Sequence, residues 1–588
     1  MRKYGVLMIR KKVQNPIFLL TIIILAFLAY TIIFPLGEII ASTFMNVKGT
    51  DGFTFEGWKS VFVSDISQAL LYSPILQTFQ IGIFVSILSL ILGSLLAWVV
   101  IRTDLKYKKV ISFLLILPYM LPSWFNAFVW LIIFKNDRIG GRAGLIQAIF
   151  HVSPPDWLSY GAVPIILSLS THYYIFAFLL VGAALSSINS DVEEGATILG
   201  ANTWKVLRKI TFPLVLPAIV SAFILIFSKS IGSFGVPALL GLPVRYYTLS
   251  TMIYSNISTG QQVYGFILSL VLIVSAIVVI YFNQKVISRR NYTTIGGKGS
   301  KRKLIRLGKW RLFTHVVIWL FIFCLSILPV LLLGIQTLLL KDGVYRLDNL
   351  TLHYWIGQSD PAIGNGILGV LQNERIFSAF KNTVMISFFA ASIAAFIGLV
   401  IGYLITRNKQ KWTFKLMDQL SFLPILIPSI AFSAIYLSMF SKPSLFLPSL
   451  YGTMAILVLI TVVSELPLTT RTGTSSMIQI GNELEEAASV LGASWRTKFR
   501  KIILPLSRKG LLSGFILVFI SAMKELDLLI MLVTPKTMTL TTYTFDLQEQ
   551  GYTQTANAIV FIIVMSIILV YVAVTVFGKT DITKGIGK

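Results

Sequence analysis

Two short stretches of this chain set a pair of carboxylates ahead of small residues and a glycine. The first reads Glu193-Glu194-Gly195-Ala196-Thr197-Ile198-Leu199-Gly200-Ala201 and continues through Arg208 and Lys209 to Pro213. The second reads Glu485-Glu486-Ala487-Ala488-Ser489-Val490-Leu491-Gly492-Ala493 and continues through Arg500 and Lys501 to Pro505. Carboxylates at a helix start complement the positive end of its dipole. Ala196 and Leu199, like Ala488 and Leu491, recur at helical spacing, and Gly200 and Gly492 accept the left-handed conformation that ends a helix. Each stretch therefore predicts a short amphipathic helix opened by its Glu pair and closed by a turn small enough for tight protein contact. A plain interfacial connector is the competing reading, but it needs neither the Glu-Glu start nor the same glycine at the same offset twice.

Five ionisable residues fall inside apolar runs: Lys229, Glu465, Lys524, Glu525 and Asp527. Charge in hydrocarbon is costly, so each is a candidate for a translocation path facing the bundle interior. Lys524 and Asp527 are three apart and predict a pair on one helix face; a structural ion pair, or snorkelling to an interface, is the alternative. Gly578-Lys579-Thr580 ends a P-loop-like pattern, but Ala573 stands where the first glycine belongs, and Gly296-Gly297-Lys298-Gly299 lacks Ser or Thr after the lysine. The phosphate cradle of an ATPase is thus not expected on this chain. His151, His172, His315 and His353 are scattered and Cys324 is the single cysteine, so neither a disulfide nor a metal centre is expected. No acid–base or nucleophile constellation suggests an enzyme.

The elements that must carry these residues are long and apolar. The 588 residues are 55% hydrophobic and 13% charged, and the apolar content falls in blocks of about 20 residues, the length a helix needs to cross a bilayer. Twelve spans are predicted, beginning near Pro16, Leu76, Val110, Ala162, Pro213, Val263, Thr314, Ala379, Leu416, Gly452, Pro505 and Ala556. The fold class is an all-α polytopic membrane protein, since barrel strands would be shorter and alternating. The formal charge of +26 is concentrated in alternate loops. Arg2, Lys3, Arg10, Lys11 and Lys12 precede the first span without an acid, and Lys285 to Arg311 holds ten Lys or Arg and no acid. Opposite loops are nearly balanced, with Lys48 and Lys59 facing Asp51, Glu56 and Asp65. This is the positive-inside bias, placing both termini and the linker in the cytoplasm and making anionic lipid, not nucleic acid, the partner of the basic surplus. The first apolar run is too long for a signal-peptide core and is expected to be retained.

The chain is a direct repeat. Thr78, Gly93 and Arg102 recur as Thr383, Gly398 and Arg407 at an offset of 305, and Leu-Pro-x-x-x-Pro-Ser occurs at Leu117 to Ser123 and at Leu423 to Ser429. Glu193 to Leu214 matches Glu485 to Leu506 with 11 of 22 residues identical. Six spans per copy, an even number, relates the halves by a pseudo-two-fold axis along the membrane normal. The expected organisation is a first half at 1–284 with its loop at 189–213, a basic linker at 285–313, and a second half at 314–588 with its loop at 481–505. The proline pairs Pro118/Pro122 and Pro424/Pro428 remove helix hydrogen bonds and predict kinked third spans, suited to a gate or to packing around the axis. Outer loops carrying Trp58, Trp157 and Trp355 are long enough to meet a binding protein, although such residues also form interfacial belts.

The two Glu-Glu loops resemble the EAA loop of binding-protein-dependent ABC import permeases, in which E-A-A is followed three residues later by G and, further on, by a proline. Gly195 departs from the pattern where Ala487 keeps it. The resemblance implies a type I, MetI-like permease fold in the cell membrane, with no cofactor of its own. It further implies that each loop is a coupling helix seated in an ATP-binding subunit, two copies of which use ATP and Mg, and that an extracytoplasmic binding protein delivers the substrate. Glu193, Glu194, Ala196, Leu199 and Gly200, with Glu485, Glu486, Ala488, Leu491 and Gly492, are the coupling residues so implied. A gradient-driven carrier would have no ATPase to grip. Ile231-Gly232-Ser233-Phe234-Gly235-Val236-Pro237 and Lys524-Glu525-Leu526 are similar to segments of fused ferric iron permeases. Asp527 and Leu528 depart from that pattern, which has Pro and Ala there, so branches carrying phosphonate, polyamine, thiamine or sulfate-like anions stay open.

Overall fold

A computed structural model describes residues 16–45, 52–188, 190–288, 304–408, 411–443 and 448–577. The basic residues Arg2 to Lys12, the central linker with Gly296 to Gly299, and Gly578 to Thr580 lie outside them. The described residues form helices and turns with isolated β-bridges such as Thr103–Ile305. In hydrocarbon only a helix satisfies its backbone polar groups within one segment. Among the described residues nine helices are long and apolar enough to cross a membrane, and twelve spans result when three sharply bent pairs are each counted once.

In chain order the spans are 1, Pro16–Ser42; 2, Gln68–Arg102; 3, Lys108–Met120 with Phe125–Phe134; 4, Asp156–Ser187; 5, Trp204–Ile231; and 6, Gln262–Val279. The second set is 7, Gly308–Gln336; 8, Glu374–Arg407; 9, Trp412–Leu426 with Ser429–Phe440; 10, Met454–Gln479; 11, Trp495–Leu506 with Arg508–Met523; and 12, Thr553–Ala573. The twelve blocks expected from hydropathy are these twelve.

Spans 3 and 9 break by 91° and 108°. The second proline of each pair sets the break, because the residue before a proline is pushed out of the helical region. Leu121, before Pro122, has ψ 159°, and Ile427, before Pro428, has ψ 120°. Span 11 bends by 68° at Ser507, which the sequence did not signal. Ser507 Oγ donates to the Ile503 carbonyl one turn back at 2.7 Å, but Ser221 makes the same bond to the Pro217 carbonyl inside the unbroken helix of span 5, so that bond alone does not set the bend. Its repeat counterpart, Val215, lies in an unbroken helix.

The chain gathers into two compact units. One holds residues 1–58, 261–267 and 378–542; the other holds 59–260, 268–377 and 543–588. Within each, the first span of one sequence half packs with spans of the other half. In the first unit span 1 meets span 9, where Tyr436 donates to the Thr31 carbonyl at 2.9 Å. In the second unit span 7 meets spans 3 and 4, where Ser326 donates to the Leu114 carbonyl at 2.9 Å and Phe321 stands edge-on to Tyr174. Spans 2 and 4, and spans 8 and 10, approach backbone to backbone. A Cβ on Gly93 would lie 2.3 Å from the Tyr174 carbonyl oxygen, and one on Gly398 would lie 2.5 Å from Thr469. With no hydrophobic drive between helices in lipid, such small-residue contacts are what hold them together.

Candidate functional site

The loop between spans 4 and 5 contains a helix at Ser190–Ile198, and the loop between spans 10 and 11 contains one at Glu483–Val490. Both begin before the Glu pair, which corrects the expectation that the pair opens the helix. Asp191 and Glu193 lie in the first turn of one, and Glu483, Glu485 and Glu486 in the first turn of the other. The leading glutamate does more than complement the dipole. Glu193 pairs with Arg102 at the end of span 2, and Glu485 pairs with Arg407 at the end of span 8, with Nε to Oε1 at 2.6 Å. All four side chains are largely buried. The Thr211 hydroxyl donates to Glu193 Oε1 at 2.7 Å, and the Tyr403 hydroxyl to Glu485 Oε2 at 3.0 Å. Arg102 and Arg407 were visible in the repeat, but their role was not, because their partners stand far along the chain.

Both helices end in the same way. The Ala201 amide donates to the Ala196 carbonyl and the Ala493 amide to the Ala488 carbonyl, each at 2.9 Å. These six-to-one bonds close a Schellman turn around a left-handed residue. Gly200 has φ +82° and Gly492 φ +75°. Leu199 and Leu491 stand one residue past the helix ends, so they belong to the turn and not to the helix face. The turn drives apolar side chains outward: Ile198 is 85% and Leu199 88% exposed, Val490 88% and Leu491 87%. Glu194 is half-buried and Glu486 exposed.

Removing one partner from a buried ion pair strands the other charge, at a cost of about 3–5 kcal/mol where burial is complete. Arg407→Met is therefore expected to lower the thermal midpoint of the detergent-purified protein distinctly. Arg407→Met combined with Glu485→Met should recover most of the loss, since no charge is left unpaired. Additive losses in the double variant would show that the pair does not hold the loop.

The candidate path residues fare differently. Lys229 is exposed in the last turn of span 5. Glu465, half-buried in span 10, accepts from Ser521 of span 11 at 2.7 Å. Span 11 stops at Met523, so Lys524, Glu525 and Asp527 lie beyond the helix, and the shared helix face on which Lys524 and Asp527 were expected to pair does not exist. Glu525 instead accepts the Leu528 amide at 2.9 Å.

This ending is itself duplicated. After span 5 the Ser233 carbonyl accepts from Ser250 at 2.6 Å, and after span 11 the Glu525 carbonyl accepts from Thr541 at 2.7 Å. The Leu249 amide donates to Thr78 and the Leu540 amide to Thr383, each at 2.8 Å. Thr78 and Thr383 thus fasten the segment that follows spans 5 and 11 onto spans 2 and 8. The available signal was the recurrence of Thr248-Leu249-Ser250-Thr251 as Thr539-Leu540-Thr541-Thr542. Trp58 and Trp355 are tied down as well, their indoles donating to Thr43 and Thr337 at the ends of spans 1 and 7, whereas Trp157 is exposed.

Twelve apolar spans in two copies, each copy with an ion-paired loop ending in an exposed apolar tip, define a duplicated membrane permease. The chain belongs to the family described as binding-protein-dependent transport system inner membrane component, whose model matches twice, at residues 89–291 and 396–579. It is the permease of an ABC import system. Among similar proteins is the ferric transport system permease protein FbpB of Actinobacillus pleuropneumoniae, 26% identical, with 97% of this chain and 79% of that one covered. Another is the putative ferric transport system permease protein FbpB 1 of Haemophilus influenzae, 26% identical over 88% of this chain and 78% of that one. The putative molybdenum transport system permease protein YvgM of Bacillus subtilis is 25% identical over 38% of this chain and 96% of its own length.

Proposed function

We propose that this permease imports ferric iron handed to it by an extracytoplasmic binding protein, and that two copies of an ATP-binding subunit drive it through the loops at Gly200 and Gly492. The observation that carries the driving role is the pair of matching tips, Ile198-Leu199 and Val490-Leu491, each exposed ahead of a left-handed glycine. Exposed apolar side chains rimmed by charge are a protein-docking surface, here flanked by the exposed Arg208, Lys209, Arg500 and Lys501. The basic loops put these tips and both termini in the cytoplasm, where ATP is available. ATP and Mg belong to the partner, and this chain holds no cofactor of its own. Lys229, Glu465, Lys524, Glu525 and Asp527 remain candidates for contact with the cargo. The functional halves are 1–284 and 314–588, joined by the linker 285–313. Iron rests on the likeness to the two ferric permeases along most of the chain; an oxyanion is the second reading, favoured by the molybdenum permease relative.

In proteoliposomes containing permease and ATP-binding subunit, radiolabelled ferric iron on its binding protein is expected to accumulate only with ATP. Accumulation by the permease alone would sink the driving role. Retention of molybdate or phosphonate in place of iron would move the cargo to the second reading.

A further inference from the structure

The two coupling loops are built alike, and the side chain that grips the first is also held from the segment ahead of span 7. Arg102, whose guanidinium pairs with Glu193, also accepts the Ile305 amide on its backbone carbonyl at 2.8 Å. The Asp104 amide returns a bond to the Ile305 carbonyl at 3.1 Å, and Thr103, fully buried between them, donates to the Val99 carbonyl. The end of the segment joining the two halves is thus laid along the loop that follows span 2 as one rung of a parallel bridge.

Asp104 closes this contact. Its Oδ1 accepts the Leu307 amide at 3.0 Å, its backbone carbonyl accepts from Arg311 at 3.0 Å, and its Oδ2 stands 3.9 Å from the same guanidinium. The Leu307 amide, aided by Arg311 and Arg306 against some desolvation, holds Asp104 below the ordinary carboxylate range. Arg311 opens the main helix of span 7. One turn on, His315 Nε2 accepts the Lys106 amide at 3.3 Å. The chain of contacts therefore runs from Glu193 through Arg102 and the loop at Thr103 to Lys106 into the first turn of span 7. In the second half, the offset that relates Arg102 to Arg407 puts Asn408 and Lys409 where Thr103 and Asp104 stand. A lysine cannot accept from an amide or pair with a guanidinium, so the side chain at this offset cannot make the contacts that Asp104 makes.

We infer that Asp104 is a positioning residue for coupling: it clasps the start of span 7 to Arg102, so that displacement of the first coupling loop is passed to span 7 as well as to spans 4 and 5. The inference rests on the coupling role proposed for the Glu193 and Glu485 loops. Span 7 belongs to the same compact unit as spans 2 to 5 and packs on spans 3 and 4, so a clasped start carries motion straight into that bundle. An unclasped start leaves the loop free to answer nucleotide while span 7 lags behind it. The signature is lost economy, with ATP still consumed and less cargo moved for each ATP.

The test uses the assembled complex of permease, ATP-binding subunits and binding protein in liposomes, reading uptake and phosphate release from the same sample. Asp104→Ala is expected to lower the ratio of cargo moved to ATP hydrolysed by roughly tenfold, the scale set by losing a hydrogen-bonded charge. Asp104→Asn, which can still accept the Leu307 amide, should fall between parent and Asp104→Ala. Arg311→Gln cuts the clasp from the other side and should lower the ratio too, which keeps the inference testable if an Asp104 variant fails to assemble. An unchanged ratio in Arg311→Gln or in an assembled Asp104→Ala would overturn it. If that ratio is unchanged while leucine at Gly200 and Gly492 stops stimulated hydrolysis, the clasp fails and the coupling role stands. If the glycine variant hydrolyses normally, the coupling role fails and takes the clasp with it.

Discussion

Leucine at both Gly200 and Gly492 is expected to abolish ATP hydrolysis stimulated by the loaded binding protein, and uptake with it, while the permease stays folded in the membrane. The expectation follows from where these glycines stand. Beyond its immediate chain neighbours, a Cβ at either position would meet no atom of the described residues within 4 Å, so the methyl position itself is open. Its internal cost is the left-handed backbone, about 1–2 kcal/mol for a residue with a Cβ, and it falls on an exposed turn outside the spans. The added side chain projects beside the exposed Leu199 and Leu491, at the surface proposed to enter the ATP-binding subunit. Close packing there tolerates little extra volume. Asparagine at both positions is the control for backbone strain, because it adopts the left-handed conformation more readily than other side chains. The asparagine pair should keep the turn and lose less activity than the leucine pair. Parental hydrolysis and uptake in the leucine variant, with the complex intact, would remove the loops from the coupling pathway.

Much of this arrangement was legible because duplication turns weak signals into paired ones. Hydropathy alone found the twelve blocks, and the proline pairs located two of the three breaks, since the geometry before a proline is local. Schellman closure at Gly200 and Gly492 was readable for the same reason: a left-handed C-cap depends on a few adjacent residues. Contacts between distant residues were not readable. Arg102 and Glu193 are 91 positions apart, and nothing in the spacing says that the end of span 2 meets the loop after span 4. The misplacement of Lys524 and Asp527 has a different cause. Apolar residues continue through Leu526, Leu528 and Leu529, so the pattern runs on after the helix has stopped, with no proline or glycine to mark the end. The first half carried the missing mark, for Gly232 stands where Lys524 stands and caps span 5. The break at Ser507 was silent because a serine sits equally well in an unbroken helix, as Ser221 does in span 5. Nor could a contiguous sequence reveal that each compact unit combines the first span of one half with spans of the other.

A second set of glycines should answer to substitution in the opposite way. Gly398 and Gly402 lie one turn apart on span 8 and face Gly473 on span 10. A Cβ on Gly473 would fall 2.4 Å from the Gly398 carbonyl oxygen and 2.9 Å from Leu399 Cα, and one on Gly402 would fall 2.4 Å from the Thr474 amide nitrogen. The obstacles are backbone atoms, which no rotamer change moves aside, so the two spans must separate to admit even a methyl group. Overpacking of a tight core costs about 1–3 kcal/mol when side chains can adjust, and here they cannot. Gly473→Leu is expected to leave almost no monodisperse permease after detergent extraction, read as loss of the main size-exclusion peak, and Gly473→Ala to lower its thermal midpoint. Gly492→Leu, measured beside them, should elute at the parental position and height. The comparison separates two demands on the same residue type, backbone contact inside the bilayer and an unobstructed turn outside it. A parental peak for Gly473→Leu would mean that spans 8 and 10 do not touch through their backbones, and the close approach assigned to Gly93 on span 2 would then lose its counterpart.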